Sequence, residues 1–261
     1  MSTVRPAQRG LLFLGCLLAF VRWEPAPYDL FLIIIFLLYA RGLTWKSYQL
    51  VFVVLLGPLL FTHVPALGAA LEVAPERTLY YSLVTLYLAL SSVFFMSLPE
   101  RSVPLLLLGY EVGALLSGLL GVLAFLRIPG LEDLLWGGSR AVAFFKDPNV
   151  FGAFLIPALF LALARLEQGR KFWILPALIL FLGVLVSLSR GAWANFAVAL
   201  LAWWLLRPRK RIWLPLVLLT LAGGVGISVV VMPDNPIVQR LGFMPYDKER
   251  FFTQMEALSL A

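Results

Sequence analysis

Residues 103–126 read VPLLLLGYEVGALLSGLLGVLAFL, a run of 24 residues with one charge, Glu111. At 1.5 Å per residue a helix of that length measures about 36 Å, more than the roughly 30 Å of a bilayer's hydrocarbon core. No polar stripe repeats at helical spacing. A helix that is apolar all round belongs in a large protein core or in lipid.

The rest of the chain decides between the two. Of 261 residues, 61% are hydrophobic and 13% are charged. A soluble domain carries roughly 25% charged residues. The mean hydropathy of +0.92 leaves too few polar segments to cover so many core helices. The expected fold is all-α, a polytopic transmembrane helix bundle.

Nine spans are expected, at about residues 10–23, 27–40, 48–63, 78–98, 103–126, 149–165, 172–188, 191–206 and 212–232. The first two are short and are separated by Pro25 and Pro27, so they read as a hairpin or as one kinked helix. Charge favours the hairpin. It gathers Arg5, Arg9, Arg41, Lys46, Arg101, Arg165, Arg170, Lys171, Arg207, Arg209, Lys210 and Arg211 on one side, with only Glu100 and Glu167 against them. The opposite side then holds nine basic and eleven acidic residues. Basic loops face the cytoplasm, so the N-terminus is expected inside and the tail outside. Residues 1–232 are the expected transmembrane domain, and 233–261 the start of an extracytoplasmic segment. The N-terminal run lacks a small-x-small cleavage site before Arg22-Trp23-Glu24-Pro25 and reads as a retained helix.

The formal net charge of +7 is accounted for by cytoplasmic loops, and no nucleic-acid partner is expected. One cysteine, Cys16, and one histidine, His63, give neither an internal disulfide nor a metal cluster. No metal and no cofactor is expected. His63, at the outer end of the third span, reads as a boundary residue, and Trp203-Trp204 as part of an aromatic belt.

Unusual residues collect on the outer face. Gly138 to Asn149 carries Arg140, Lys146 and the sequence Asp147-Pro148-Asn149. Asp147 and Pro148 suit a helix start, which by itself explains that tripeptide. Arg140 and Lys146 add positive charge beside a helix N-terminus, where anions already bind favourably. The second feature, Ser187-Leu188-Ser189-Arg190-Gly191-Ala192-Trp193, joins two spans with almost no loop. It holds Arg190 near the membrane surface, by design or as a snorkelling side chain. Arg140, Lys146, Arg190 and Arg250 together make a cationic set suited to a lipid-linked phosphate or diphosphate. Glu111, alone within a span, reads as a proton-relay group, a partner for a nearby arginine or a protonated acid.

At these residues the chain resembles the O-antigen ligase and O-antigen polymerase-like membrane glycosyltransferases of bacteria. The resemblance rests on Arg140 followed by Phe145-Lys146-Asp147-Pro148-Asn149-Val150-Phe151-Gly152, on Ser189-Arg190-Gly191-Ala192-Trp193, on the short paired N-terminal helices and on the tail Asp247, Arg250, Ala257-Leu258. It implies an inverting, metal-independent transfer at the periplasmic face of the inner (cytoplasmic) membrane. The donor it implies is a glycan on undecaprenyl diphosphate, and the acceptor a lipid or glycan hydroxyl. The products would serve lipopolysaccharide or other polysaccharide biosynthesis. By resemblance, Arg140 and Arg190 would neutralise the departing diphosphate.

Such proteins continue through a large periplasmic loop, which in ligases carries a histidine that activates the acceptor. This sequence stops at Ala261, near where that loop would begin, and no histidine follows His63. The expectation is a fragment or a shortened member that holds donor but transfers poorly. Two other readings stand beside it: a transporter or flippase of a lipid-linked glycan, and a non-catalytic membrane partner.

Overall fold

The computed structural model describes residues 6–39 and 74–206, with a few isolated helical residues between 49 and 72. Most of the expected span at 48–63, the whole of that at 212–232, the boundary at 232, and His63, Arg250 and the Arg207–Arg211 cluster lie outside the described residues.

Helix dominates what is described. The order is α1 (Pro6–Leu17), α2 (Pro27–Tyr39), α3 (Pro75–Ser97), α4 (Val103–Phe125), α5 (Pro148–Glu167), α6 (Ile174–Val186) and α7 (Arg190–Leu206). Two strands of two residues each, β1 (Leu135–Trp136) and β2 (Arg140–Ala141), depart from the all-α expectation. Among the described residues, three helical stretches are long and apolar enough to cross a membrane: Pro75–Ser97, Glu100–Phe125 and Pro148–Glu167.

The chain divides into two units, one of Met1–Gly15 with Pro27–Gly109, the other of Cys16–Ala26 with Tyr110–Ala261. In the first, α1 and α2 run antiparallel. A Cβ on Gly10 would stand 2.5 Å from Ile35 Cδ1, and the rings of Phe13 and Phe31 meet edge-on at 4.9 Å. As the position rises along α1 it falls along α2, which is the register of a hairpin. Leu11, Leu14, Leu32 and Ile35 form its core with Phe94 and Leu98.

Helix α3 buries only 6% of its apolar window within the protein. Several of its serine and threonine hydroxyls are satisfied along its own backbone. Ser82 Oγ donates to Thr78 O at 2.7 Å, Thr85 Oγ1 to Tyr81 O at 2.8 Å and Ser92 Oγ to Leu88 O at 2.8 Å. Such bonding suits a helix in a hydrocarbon solvent, which would offer hydroxyls no partner.

In the second unit α4, α5 and α6 pack closely through small residues. A Cβ on Gly183 of α6 would stand 2.5 Å from Leu155 Cδ1 and 3.3 Å from the Cα of Gly118 on α4. Close backbone approach over small residues is how helices gain van der Waals contact in lipid. Phe151, Leu155, Leu180 and Val184 fill the space around these glycines.

The expected first span, 10–23, needs correction. Helix α1 ends at Leu17, and residues after it leave the helical path. Phe20 stacks on Phe144 at 4.6 Å, and Val21 N donates to Phe144 O at 3.1 Å. The run is apolar because it packs on the segment between α4 and α5, not because it continues a helix. The later part of that segment is interior: Ala141, Val142, Ala143 and Phe145 are buried.

Candidate functional site

The site begins with a hairpin. Strands β1 and β2 pair Leu135 with Ala141 and Trp136 with Arg140. Gly137 and Gly138 make the turn with φ of +56° and +70°, values that glycine takes without steric cost. Val142 N and Ala143 N then donate to Leu134 O at 2.9 and 3.1 Å, which fixes the strand that carries Arg140.

Three helix ends lie beside that strand. Asp147 caps α5, its Oδ1 accepting from Asn149 N at 2.6 Å, as a helix start at Asp-Pro requires. Helix α6 stops at Val186, and Leu188 follows with φ +49° in the left-handed region. Ser189 opens α7: its Oγ accepts from Ala192 N at 3.1 Å. Ser187 Oγ accepts from Ser189 N at 3.3 Å and donates to Val184 O at 2.7 Å. Trp193 Nε1 donates to the same carbonyl at 3.1 Å. The reversal between α6 and α7 is therefore a closed polar turn, and Ser187, Leu188 and Ser189 are all buried.

Arg140 joins these ends. Its Nε donates to Ser187 O at 3.2 Å, and its Nη2 to Asn149 Oδ1 at 3.2 Å. Carbonyls at the end of a helix are short of partners and carry partial negative charge, so a guanidinium suits the end of α6. Asn149 Oδ1 also accepts from Ser189 Oγ at 2.8 Å. Arg190 is the first residue of α7, next to that serine, and is half-buried.

Of the four cationic residues expected to act together, Arg140 and Arg190 thus belong to one junction of β2, α5, α6 and α7. Lys146 pairs with Glu24 on the link between α1 and α2, and both side chains are exposed. Its charge is offset there. Arg22 on the same link donates from Nη1 to Asp133 O at 2.7 Å. Arg250 is outside the described residues. Sequence reasoning placed Asn149 only in the helix start and in the motif at 145–152, and gave the carbonyl of Ser187 no role. Ser189 lies 40 positions from Asn149 and Arg140 lies 47 from Ser187, and no local pattern announces such pairs.

Glu111 sits elsewhere. It is 4% exposed on α4, and its Oε2 lies 2.6 Å from Arg165 Nη1 near the end of α5. Neither carboxylate oxygen makes a well-aligned hydrogen bond among the described residues, so the contact is a close approach of charges. Arg165 also lies 4.1 Å over the Trp173 ring. Of the three readings of Glu111, pairing with an arginine is the one observed. On the segment before β1, backbone N–H groups of Glu132 itself and of Gly130, the latter 3.2 Å from Oε1, hold the exposed Glu132 carboxyl below its usual range.

Compared with known proteins, the chain matches no family model, no curated protein and no solved structure.

Proposed function

We propose that this chain is a multi-pass membrane glycosyltransferase of the O-antigen ligase and polymerase type. It holds a glycan on undecaprenyl diphosphate at the periplasmic face of a bacterial inner membrane. The observation that carries the reading is Arg140, braced across the ends of α5 and α6 beside the start of α7, where Arg190 stands. Guanidinium groups are always charged and match phosphate oxygens with paired donors. In the reaction an acceptor hydroxyl oxygen bonds to the anomeric carbon as its proton passes to water. The bond from that carbon to the lipid diphosphate breaks, and the diphosphate keeps the electron pair. Fixed positive charge stabilises that developing anion.

The topology proposed with it is nine spans with the N-terminus inside. The antiparallel α1–α2 pair supports the hairpin on which the charge distribution depends. On that count α4 leaves the membrane on the outside, so the Arg140 junction faces the periplasm. A transporter would be expected to keep an accessible ionisable group near the midplane. Glu111, which best suited that role, is engaged by Arg165.

The test is reconstitution in liposomes with a polyprenyl-diphosphate-linked oligosaccharide and an acceptor lipid. Donor binding, and acceptor glycosylation wherever it is measurable, should fall in Arg140→Ala and Arg190→Ala. Donor crossing between leaflets without any glycosylated product would favour the transporter. Unchanged donor binding in both variants would remove the reading.

A further inference from the structure

We infer that Asn149 is a positioning residue that aligns Arg140 with the start of α7 for anion binding; the inference rests on the donor-binding function proposed above.

The chemistry of its partners fixes which way the amide faces. A guanidinium only donates, so the Asn149 atom 3.2 Å from Arg140 Nη2 must be the oxygen. Ser189 Oγ accepts from Ala192 N at 3.1 Å and donates its own proton to Asn149 Oδ1 at 2.8 Å. One carbonyl oxygen therefore takes two hydrogen bonds, one from the loop arginine and one from the residue that opens α7. Arg190 is the next residue after that serine. One of the two cations proposed to face the diphosphate is thus tied, through a single neutral acceptor, to the residue that precedes the other.

Helix capping does not explain this side chain. Asp147 already accepts from Asn149 N at 2.6 Å, and Pro148 occupies the first helical position. An aliphatic side chain at 149 would leave that cap intact. What it would remove is one of the acceptors that hold the Arg140 guanidinium, the one that also takes a bond from the residue opening α7. A carboxylate there would hold Arg140 as well but would cancel its charge, so a neutral acceptor is the one residue type that orients the guanidinium without neutralising it.

A double-mutant cycle on the full chain tests this, with binding of a synthetic polyprenyl-diphosphate oligosaccharide to protein in nanodiscs as the readout. Asn149→Leu is expected to weaken binding about tenfold, the scale of one hydrogen bond to a charged group. The double variant Asn149→Leu with Arg140→Ala should bind no more weakly than Arg140→Ala alone, because Asn149 acts through Arg140. Additive losses, or undiminished binding in Asn149→Leu, would overturn the inference. Undiminished binding in Arg140→Ala would instead overturn the donor-binding function itself. Should Asn149→Leu fail to fold, Asn149→Ser, too short to reach both partners, carries the same cycle.

Discussion

Arg140 Nε and the carbonyl oxygen of Ser187 lie 3.2 Å apart, and this bond ties a loop arginine to the last turn of a helix 47 residues further on. A flexible ammonium cannot reproduce it together with the second bond to Asn149. Arg140→Lys keeps the charge but loses the fixed fork of donors. Donor binding should fall about tenfold or more in Arg140→Lys, measured in nanodiscs against the parent chain. Equal affinity would show that charge alone suffices and that the bracing is irrelevant.

Glu111 and Arg165 test the energetics of a buried pair. Glu111→Gln leaves the Arg165 guanidinium facing an uncharged amide in an apolar surrounding, and removing one partner of such a pair costs about 3 kcal/mol where burial is deep. Arg165 keeps 23% of its side-chain exposure, so the loss should be smaller than that. Melting in detergent should show either single variant, Glu111→Gln or Arg165→Met, less stable than the double variant Glu111→Leu with Arg165→Met. Activity or donor binding that vanished in a well-folded Glu111→Gln would instead revive a chemical role for this carboxylate.

The turn between α6 and α7 has no room to spare. A Cβ on Gly152 of α5 would stand 2.6 Å from Ser187 Oγ and 2.7 Å from Ala192 Cβ. The serine and the alanine belong to the two helix ends that the site is built from, so relief requires those ends to move. Gly152→Val should lower stability by about 1–3 kcal/mol, the usual cost of overpacking, and Gly152→Ala by less. Donor binding should weaken with it, because the displaced Ser187 carries the carbonyl that holds Arg140. A Gly152→Val protein with the parent's melting temperature would mean that the helix ends are looser than they look.

The extent to which these features could be read in advance follows the range of the interactions that make them. The apolar runs at 78–98, 103–126 and 149–165 became helices Pro75–Ser97, Val103–Phe125 and Pro148–Glu167, with ends within three residues. Their length and composition are local properties. Asp147-Pro148 was legible as a helix start for the same reason. The end of α1 was not: Leu18 to Val21 stay apolar, but they leave the helix to pack on Phe144, more than a hundred positions away. Arg140 and Arg190 were found as charges at a tight place, since a cation beside an apolar span is visible locally. That Asn149 bonds both Arg140 and the serine before Arg190, and that Glu24 takes Lys146, depends on pairings between segments apart in sequence, which no spacing rule encodes.

Acidity offers a last test, on the segment that leads into the Arg140 hairpin. Backbone N–H groups of Glu132 and Gly130 stabilise the Glu132 carboxylate and lower its pKa in the folded protein. A lowered folded value means that the charged form is favoured by folding. The contribution is therefore present above the unfolded glutamate value of about 4.3, and is lost as pH falls through the lower, folded value. Carboxyl-labelled glutamate followed by NMR should show Glu132 titrating below the ordinary glutamate value. Because the carboxylate is fully exposed, the effect on global stability should be negligible, while the Gly130 amide should lose protection at low pH in the parent and at every pH in Glu132→Leu, which has no acceptor. A midpoint for Glu132 at the ordinary glutamate value would mean that this turn is not held as described, and that the hairpin carrying Arg140 is anchored chiefly by Leu134 O and the link at Arg22.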